Sequence, residues 1–197
     1  METQIQIQRN YDRSFKLLEK KNQKRGIYKS MKIYKTKLKN VLKIKLNPFK
    51  DHRGKYLEIF NKELFKKTKK KINFIQDDIS ISKKKVLRGV HGDYRTWKLI
   101  TCLYGEFVLL VINNKKKDKE YKKSEFFYLN DKNNIQILVP PGFGNAHYVK
   151  SKKAIFHYKQ STLYNRKDQF TIKWNSKEYN LKWPFKKKPI TSKRDRA

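Results

Sequence analysis

From Met31 onward the chain falls into short apolar-rich runs, heavy in β-branched and aromatic residues, separated by polar turn signals. The runs cover residues 41–46, 56–60, 73–81, 98–104, 107–112, 125–129, 135–139, 154–160 and 170–174, and Met31-Lys32-Ile33-Tyr34 opens the pattern. Short runs of this composition, bounded by turn residues, predict β-strands. Gly105-Glu106 predicts a tight hairpin turn, and Pro140-Pro141-Gly142 punctuates another. No helical period is sustained over ten residues after position 66. Many short strands without alternating helices predict an all-β fold, a sandwich or barrel with the jelly roll as leading candidate.

The parity of these strands sets which side chains share a face. Tyr158 falls with Ala154 and Phe156, and Lys98 with Ile100 and Cys102, so both polar groups are expected to point inward. Arg88 and His91, three apart, face opposite ways on a regular strand; both reach one pocket only if Gly89 marks a bulge or the strand ends there.

Residues 1–30 lack this periodicity apart from Phe15-Lys16-Leu17-Leu18, which predicts a turn or two of helix. They read as a basic extension, disordered or an arm, before a single domain over 31–197, with Met31 as an alternative start. The chain of 197 residues is long enough to bury a core, and 37% hydrophobic against 35% charged residues predicts a soluble protein with a very polar exterior. A formal charge of +34 raises a nucleic-acid reading, because clustered cations release counterions on neutralising phosphates. Only nine of the 51 basic residues are Arg, and the Lys lie in runs scattered along the chain, as on a solvated surface; a nucleic-acid partner is therefore not expected, while an anionic small substrate fits either reading. The single Cys102 cannot form an intrachain disulfide, which points to a reducing compartment, the cytoplasm. No apolar run approaches the ~20 residues that span a bilayer, and no membrane association is expected.

The four histidines are His52, His91, His147 and His157. His91-Gly92-Asp93 lacks the second, closely spaced His of a jelly-roll metal site, so no metal and no cofactor are expected. A non-ligand imidazole, with an ordinary pKa near ~6.5, suits proton transfer; a His satisfied by a core carbonyl is the alternative. In Val86-Leu87-Arg88-Gly89-Val90-His91, followed by Lys98, a base, a guanidinium and an ammonium fall within one stretch, a set suited to chemistry beside a ketone.

Further landmarks stand in order around that run: Phe49-Lys50-Asp51-His52-Arg53-Gly54 with Glu58, Gln76-Asp77-Asp78-Ile79-Ser80, Pro141-Gly142-Phe143 with His147, Tyr158-Lys159 with Tyr164, Trp174-Asn175, Trp183-Pro184 and Ser192-Lys193-Arg194-Asp195. From Lys32 to Asp195 the chain resembles the nucleotide-sugar 3,5-epimerases typified by dTDP-4-dehydrorhamnose 3,5-epimerase, a cupin-type jelly roll that uses no metal. The resemblance implies catalytic roles for four residues. His91 would remove a proton from C3 or C5 of a 4-keto sugar, Asp195 would orient its imidazole, Lys98 with Arg88 would stabilise the enolate, and Tyr158 would return a proton on the opposite face. It further implies substrate contacts from Arg53, Glu58, Gln76, Asp78, Arg88, His147 and Tyr164, and a homodimer in which an exchanged N-terminal strand brings Arg53 to the partner's site.

Asp78 replaces the family's usual Asn, the stretch from His91 to Lys98 is shorter, and Gly142-Phe143-Gly144-Asn145-Ala146-His147-Tyr148 replaces Gly-Phe-Ala-His-Gly. This wording is similar to the branch acting on GDP-linked 4-keto heptoses for bacterial capsule or lipopolysaccharide. Two other readings stay open: a cupin 3,4-ketoisomerase of nucleotide sugars, and a basic nucleic-acid-binding protein.

Overall fold

The structure, a computed structural model, describes residues 31–196. The expectations for residues 1–30 lie outside that range. Two antiparallel sheets face each other. One has six strands in the order β1 (Lys32–Lys35), β2 (Leu42–Lys45), β10 (Ile135–Val139), β7 (Lys98–Tyr104), β12 (Lys153–Gln160) and β5 (Gln76–Lys83). The other has five, β13 (Phe170–Thr171), β6 (Leu87–Gly92), β11 (Phe143–Val149), β8 (Glu106–Asn113) and β9 (Ser124–Asn130). A hairpin of β3 (Phe49–Asp51) and β4 (Gly54–Tyr56) stands apart from both, followed by a single helical turn, α1 (Lys62–Phe65), capped by the Asn61 side chain.

Alternation along each strand explains three apolar layers. Ile100 and Cys102 of β7, Phe107, Leu109 and Val111 of β8, Ile137 and Val139 of β10, and Ala154 and Phe156 of β12 meet between the sheets. The opposite parity is buried too. Leu99 and Leu138 are covered by Phe60, Phe65 and Phe74 from the 57–74 segment, and Leu110 and Ile112 by Phe170, Leu181 and Trp183 from the C-terminal segment. A strand covered on both faces reads as an unbroken apolar run, as β8 does.

Two expectations need correction, and one strand was missed. Gly105 is no hairpin turn, because β7 and β8 belong to different sheets. It is a corner: its φ is +75°, its N–H donates to Asp131 Oδ2 (3.0 Å), and an added Cβ would lie 2.1 Å from the Lys153 carbonyl oxygen. Residues 57–60, expected as strand, are instead irregular chain that turns Leu57, Ile59 and Phe60 onto the outer face of the larger sheet. Strand β11 went unpredicted because Gly144, Asn145 and Ala146 break its apolar pattern.

The C-terminal segment returns to the barrel wall at Ile190, whose N–H donates to the Lys85 carbonyl and whose carbonyl accepts from the Leu87 N–H, each at 2.9 Å. That tether carries residues 192–196 to the mouth of the sandwich beside β6.

Candidate active site

One end of the space between the sheets is filled by the apolar core; elsewhere it opens into a cavity of about 470 Å³ lined by Arg88, His91, Lys98, Asn145, His147, Phe156, Tyr158 and Asp195, among others. The volume lies in the range of small-molecule sites. Its walls are β6 and β11 of one sheet and β7 and β12 of the other.

A bulge brings Arg88 and His91 to the same side. Arg88 pairs with His147 and His91 with Asn145, so two residues of β6 lie between pairs that β11 separates by one. Gly89 supplies the geometry: its φ is +110°, and a Cβ there would fall 2.6 Å from the Asn145 carbonyl oxygen and 2.7 Å from Ala146 Cβ. Only glycine meets both conditions without moving β11.

His91 Nε2 lies 2.8 Å from Asp195 Oδ1, in an approach too bent for a straight N–H···O bond. The short turn at Arg194–Arg196 supplies the carboxylate, which is 3% exposed. Ser192 Oγ donates to its other oxygen at 2.8 Å. Burial pushes the Asp195 carboxyl upward, but His91 and the Ser192 hydrogen bonds outweigh it and leave the pKa below the ordinary value. The imidazole thus has a fixed anion behind it.

Across the cavity, Tyr158 projects from β12 beside Phe156. Burial, reinforced by Asp78 and Tyr164, pushes its phenol up to about 12, so at neutral pH it carries a proton. Asp78 stands opposite Tyr158 in the β5–β12 register, its carboxylate held by the Gln76 and Gln160 amides at 2.8 Å each. Gln76 Oε1 also accepts from the Tyr164 N–H (2.7 Å), tying the 161–165 loop to the sheet.

Lys98 heads β7, buried at 7% exposure. Burial lowers its pKa, Asp93 opposes that and Arg194 adds to it. Its ammonium makes no hydrogen bond or ion pair among the described residues. His147 is buried and stacked on Phe156 at 4.1 Å between ring centroids. Burial, helped by the Arg88 charge and opposed by Asp195, drives its pKa down to about 3, so this imidazole is neutral.

Buried polar atoms without a hydrogen bond in the protein concentrate here: Ser80 Oγ, Asn145 Oδ1 and His147 Nε2, alongside the bent His91–Asp195 contact. Native interiors satisfy such atoms almost everywhere, so a cluster of exceptions on one cavity marks a place for a polar ligand. Asn145 is a residue the sequence reading did not single out; the signal for it is its register position opposite His91, visible once β11 is recognised as a strand.

His91, Tyr158, Asp195, Lys98, Arg88, His147 and Tyr164 therefore line one cavity, with Gln76 and Asp78 supporting its rim. Arg53 and Glu58 do not join them. Arg53 sits on the β3–β4 hairpin, paired to Asp51 at 2.6 Å with its side chain 76% exposed. Glu58 borders a separate, mainly apolar pocket of about 300 Å³ with Phe49, Tyr56 and Phe60, and accepts from Asn61 Nδ2 at 3.1 Å.

A double-sheet jelly roll with a paired imidazole in one wall and a protonated phenol in the other defines a cupin-type acid/base enzyme. Residues 35–197 match the dTDP-4-dehydrorhamnose 3,5-epimerase family. The chain belongs to that family. The dTDP-4-dehydrorhamnose 3,5-epimerase of Shigella flexneri is 32% identical over 169 residues, spanning 84% of this chain and 93% of its own. The crystal structure of dTDP-4-dehydrorhamnose 3,5-epimerase from Elizabethkingia anophelis superposes with a TM-score of 0.79 at 30% identity, over 86% of this chain and 95% of that one. A dTDP-6-deoxy-D-glucose-3,5-epimerase from Legionella pneumophila, solved in complex with dTDP-4-keto-L-rhamnose, gives 0.80 at 27% identity, over 84% and 89%.

Proposed function

We propose that this chain epimerises a nucleotide-diphosphate-linked 4-keto sugar at C3, C5 or both by removing and returning a proton. The observation that carries this reading is the placement of His91 and Tyr158 on opposite sheets around one cavity. Facing sheets pack about 10 Å apart, which leaves room for a sugar ring between the two groups. His91, backed by Asp195, takes the proton α to the ketone and becomes imidazolium. The electron pair moves onto the C4 oxygen, where Lys98, buried in the wall, and Arg88 stabilise the enolate. Tyr158 then gives its proton to the same carbon from the other face, and exchange with solvent restores both groups. A single acid/base group on one face would regenerate the starting stereoisomer. Incubated with a 4-keto nucleotide sugar in deuterium oxide, the protein is expected to wash deuterium into C3 or C5 and yield the inverted epimer. A 3-keto product would identify a ketoisomerase instead, and no exchange with any dTDP- or GDP-linked 4-keto sugar would end the proposal.

The wording around 91–98 and 142–148 favours a GDP-linked 4-keto heptose destined for bacterial surface polysaccharide, in a cytoplasmic enzyme. A side-by-side screen of dTDP- and GDP-linked 4-keto sugars tests this.

The site also reads as one completed by a second copy. Arg53 lies outside its own cavity, β5 is an edge strand with Ile79 60% and Ile81 57% exposed, and the β3–β4 hairpin presents Phe49 and Tyr56 to solvent. Such an apolar edge calls for a cover, and a partner's hairpin supplies it while delivering Arg53. Mixing Arg53→Ala with His91→Ala chains would then restore one intact site per dimer; a monomer in sedimentation, or no activity from the mixture, refutes it.

A further inference from the structure

Each inversion leaves two groups to be reset: His91 has to lose a proton and Tyr158 has to regain one. A sugar bound in the cavity covers the inward-facing Tyr158 hydroxyl, so a proton for it has to come from behind. One ionisable side chain stands there. Asp78 is the register partner of Tyr158 across β5 and β12, and its carboxylate acts on the Tyr158 hydroxyl by charge and by hydrogen bonding. Tyr164, the other titratable group acting on that hydroxyl, lines the cavity, whereas Asp78 does not. A carboxylate that meets the phenol outside the cavity wall serves Tyr158 rather than the sugar.

The surroundings of Asp78 suit passage of a proton. Gln76 Nε2 and Gln160 Nε2 both donate to Oδ2, at 2.8 Å each, which fixes the carboxylate and leaves Oδ1 without a bond to either amide. No lysine or arginine pairs with Asp78 among the described residues. Its neighbour Asp77 is the contrast: on the other face of the strand it is locked by Lys159 at 2.6 Å and His157 at 2.9 Å. Asp78 is half-buried on the outermost strand of its sheet, two residues from Gln76, whose Oε1 fastens the 161–165 loop at the cavity rim. That position lies between the phenol and the rim.

We propose that Asp78 reloads Tyr158, passing to its phenolate a proton taken from solvent while the sugar still occupies the cavity. A solvent proton binds the carboxylate, the carboxyl O–H breaks as the phenol O–H forms, and Asp78 returns to the carboxylate. The proton that His91 releases to solvent balances the one taken up. Asp78 acts through Tyr158 and does not touch the reacting carbon. The inference rests on the epimerase reading above, and the test separates the two.

Asp78→Asn can accept both glutamine amides as the wild type does, but its amide carries no proton to and fro. Tyr158 starts each experiment protonated, so rapid-quench of D78N with a 4-keto nucleotide sugar should show a burst of about one inverted centre per site at the wild-type rate. Later turnovers should then be slower by roughly 10- to 100-fold, the scale of a lost proton-transfer group. In Asp78→Ala, added formate should speed that slow phase in proportion to its concentration, and thermal unfolding of D78N should match wild type. A slowed first turnover, wild-type steady-state turnover in D78N, or a slow phase indifferent to formate overturns the assignment. A wild-type protein that exchanges no deuterium into any 4-keto nucleotide sugar overturns the epimerase reading instead, and the relay falls with it.

Discussion

Replacing Lys98 with Met removes one charge from the cavity and changes the side-chain volume little. The ammonium is buried at 7% exposure and makes no bond within the described protein, so the substitution orphans no partner. Its task falls in the transition state, when charge gathers on the C4 oxygen. Two unit charges ~4 Å apart at an effective dielectric of ~20 interact by about 4 kcal/mol, and removal of one preorganised oxyanion donor costs ~2.7–4 kcal/mol. Lys98→Met should therefore lower kcat by roughly 10²- to 10³-fold, with a much smaller change in KM because the ground-state ketone is neutral. Deuterium uptake at C3 or C5, followed by NMR, reads the loss directly. Stability should move the other way. Burial depresses the Lys98 pKa, so between that lowered value and the ordinary ~10.4 the unfolded chain holds a proton that the native chain gives up. Native stability thus rises with pH across that window, and K98M should flatten the rise while matching or exceeding wild-type stability at neutral pH. A variant with kcat within tenfold of wild type, or one clearly less stable at pH 7, would refute the assignment of this ammonium to the enolate.

Gly89→Ala should cost about 1–3 kcal/mol of stability through the forced φ, and its Cβ clash with β11 should displace both Arg88 and His91, so that activity falls more than the melting temperature accounts for. His147→Phe keeps the stack on Phe156 but removes a group that cannot accept a proton in the fold; wild type should lose about 1.4 kcal/mol per pH unit from this site on acidification from ~6.5 toward about 3, and the variant should lack that slope in denaturant titrations. Asn145→Ala severs no hydrogen bond of Oδ1 within the protein, so its melting temperature should stay at the wild-type value while kcat/KM falls by roughly 3- to 10-fold, as for one lost polar contact to substrate.

The all-β class was legible because β7 and β10 are short runs rich in apolar and β-branched residues between turn signals, and their bounds, 98–104 and 135–139, match the reading of the chain. What local pattern lacks is partnership. Gly105 has the chemistry of a hairpin turn, yet which sheet the next strand joins is decided by long-range packing. Strand β11 hid behind Gly144 and Ala146, which are small because the layer outside them is crowded: a Cβ on Gly144 would meet Val90 Cγ1 at 2.9 Å. The inward parity of Lys98 and Tyr158 followed from period two alone, and the conflict between Arg88 and His91 called for a bulge at Gly89 or a strand end there, of which the fold has the bulge. Asp195 was beyond such reasoning. It reaches His91 through the tether at Ile190, a contact across more than 100 residues that only the resemblance anticipated.

The division of labour between two walls is tested most directly by deuterium incorporation measured together with stereochemistry for His91→Asn and Tyr158→Phe on a 4-keto nucleotide sugar the wild type accepts. H91N should incorporate no deuterium, whereas Y158F should still exchange the α-proton and return the starting epimer. Inversion by Y158F at the wild-type rate, or wild-type exchange by H91N, would contradict the account.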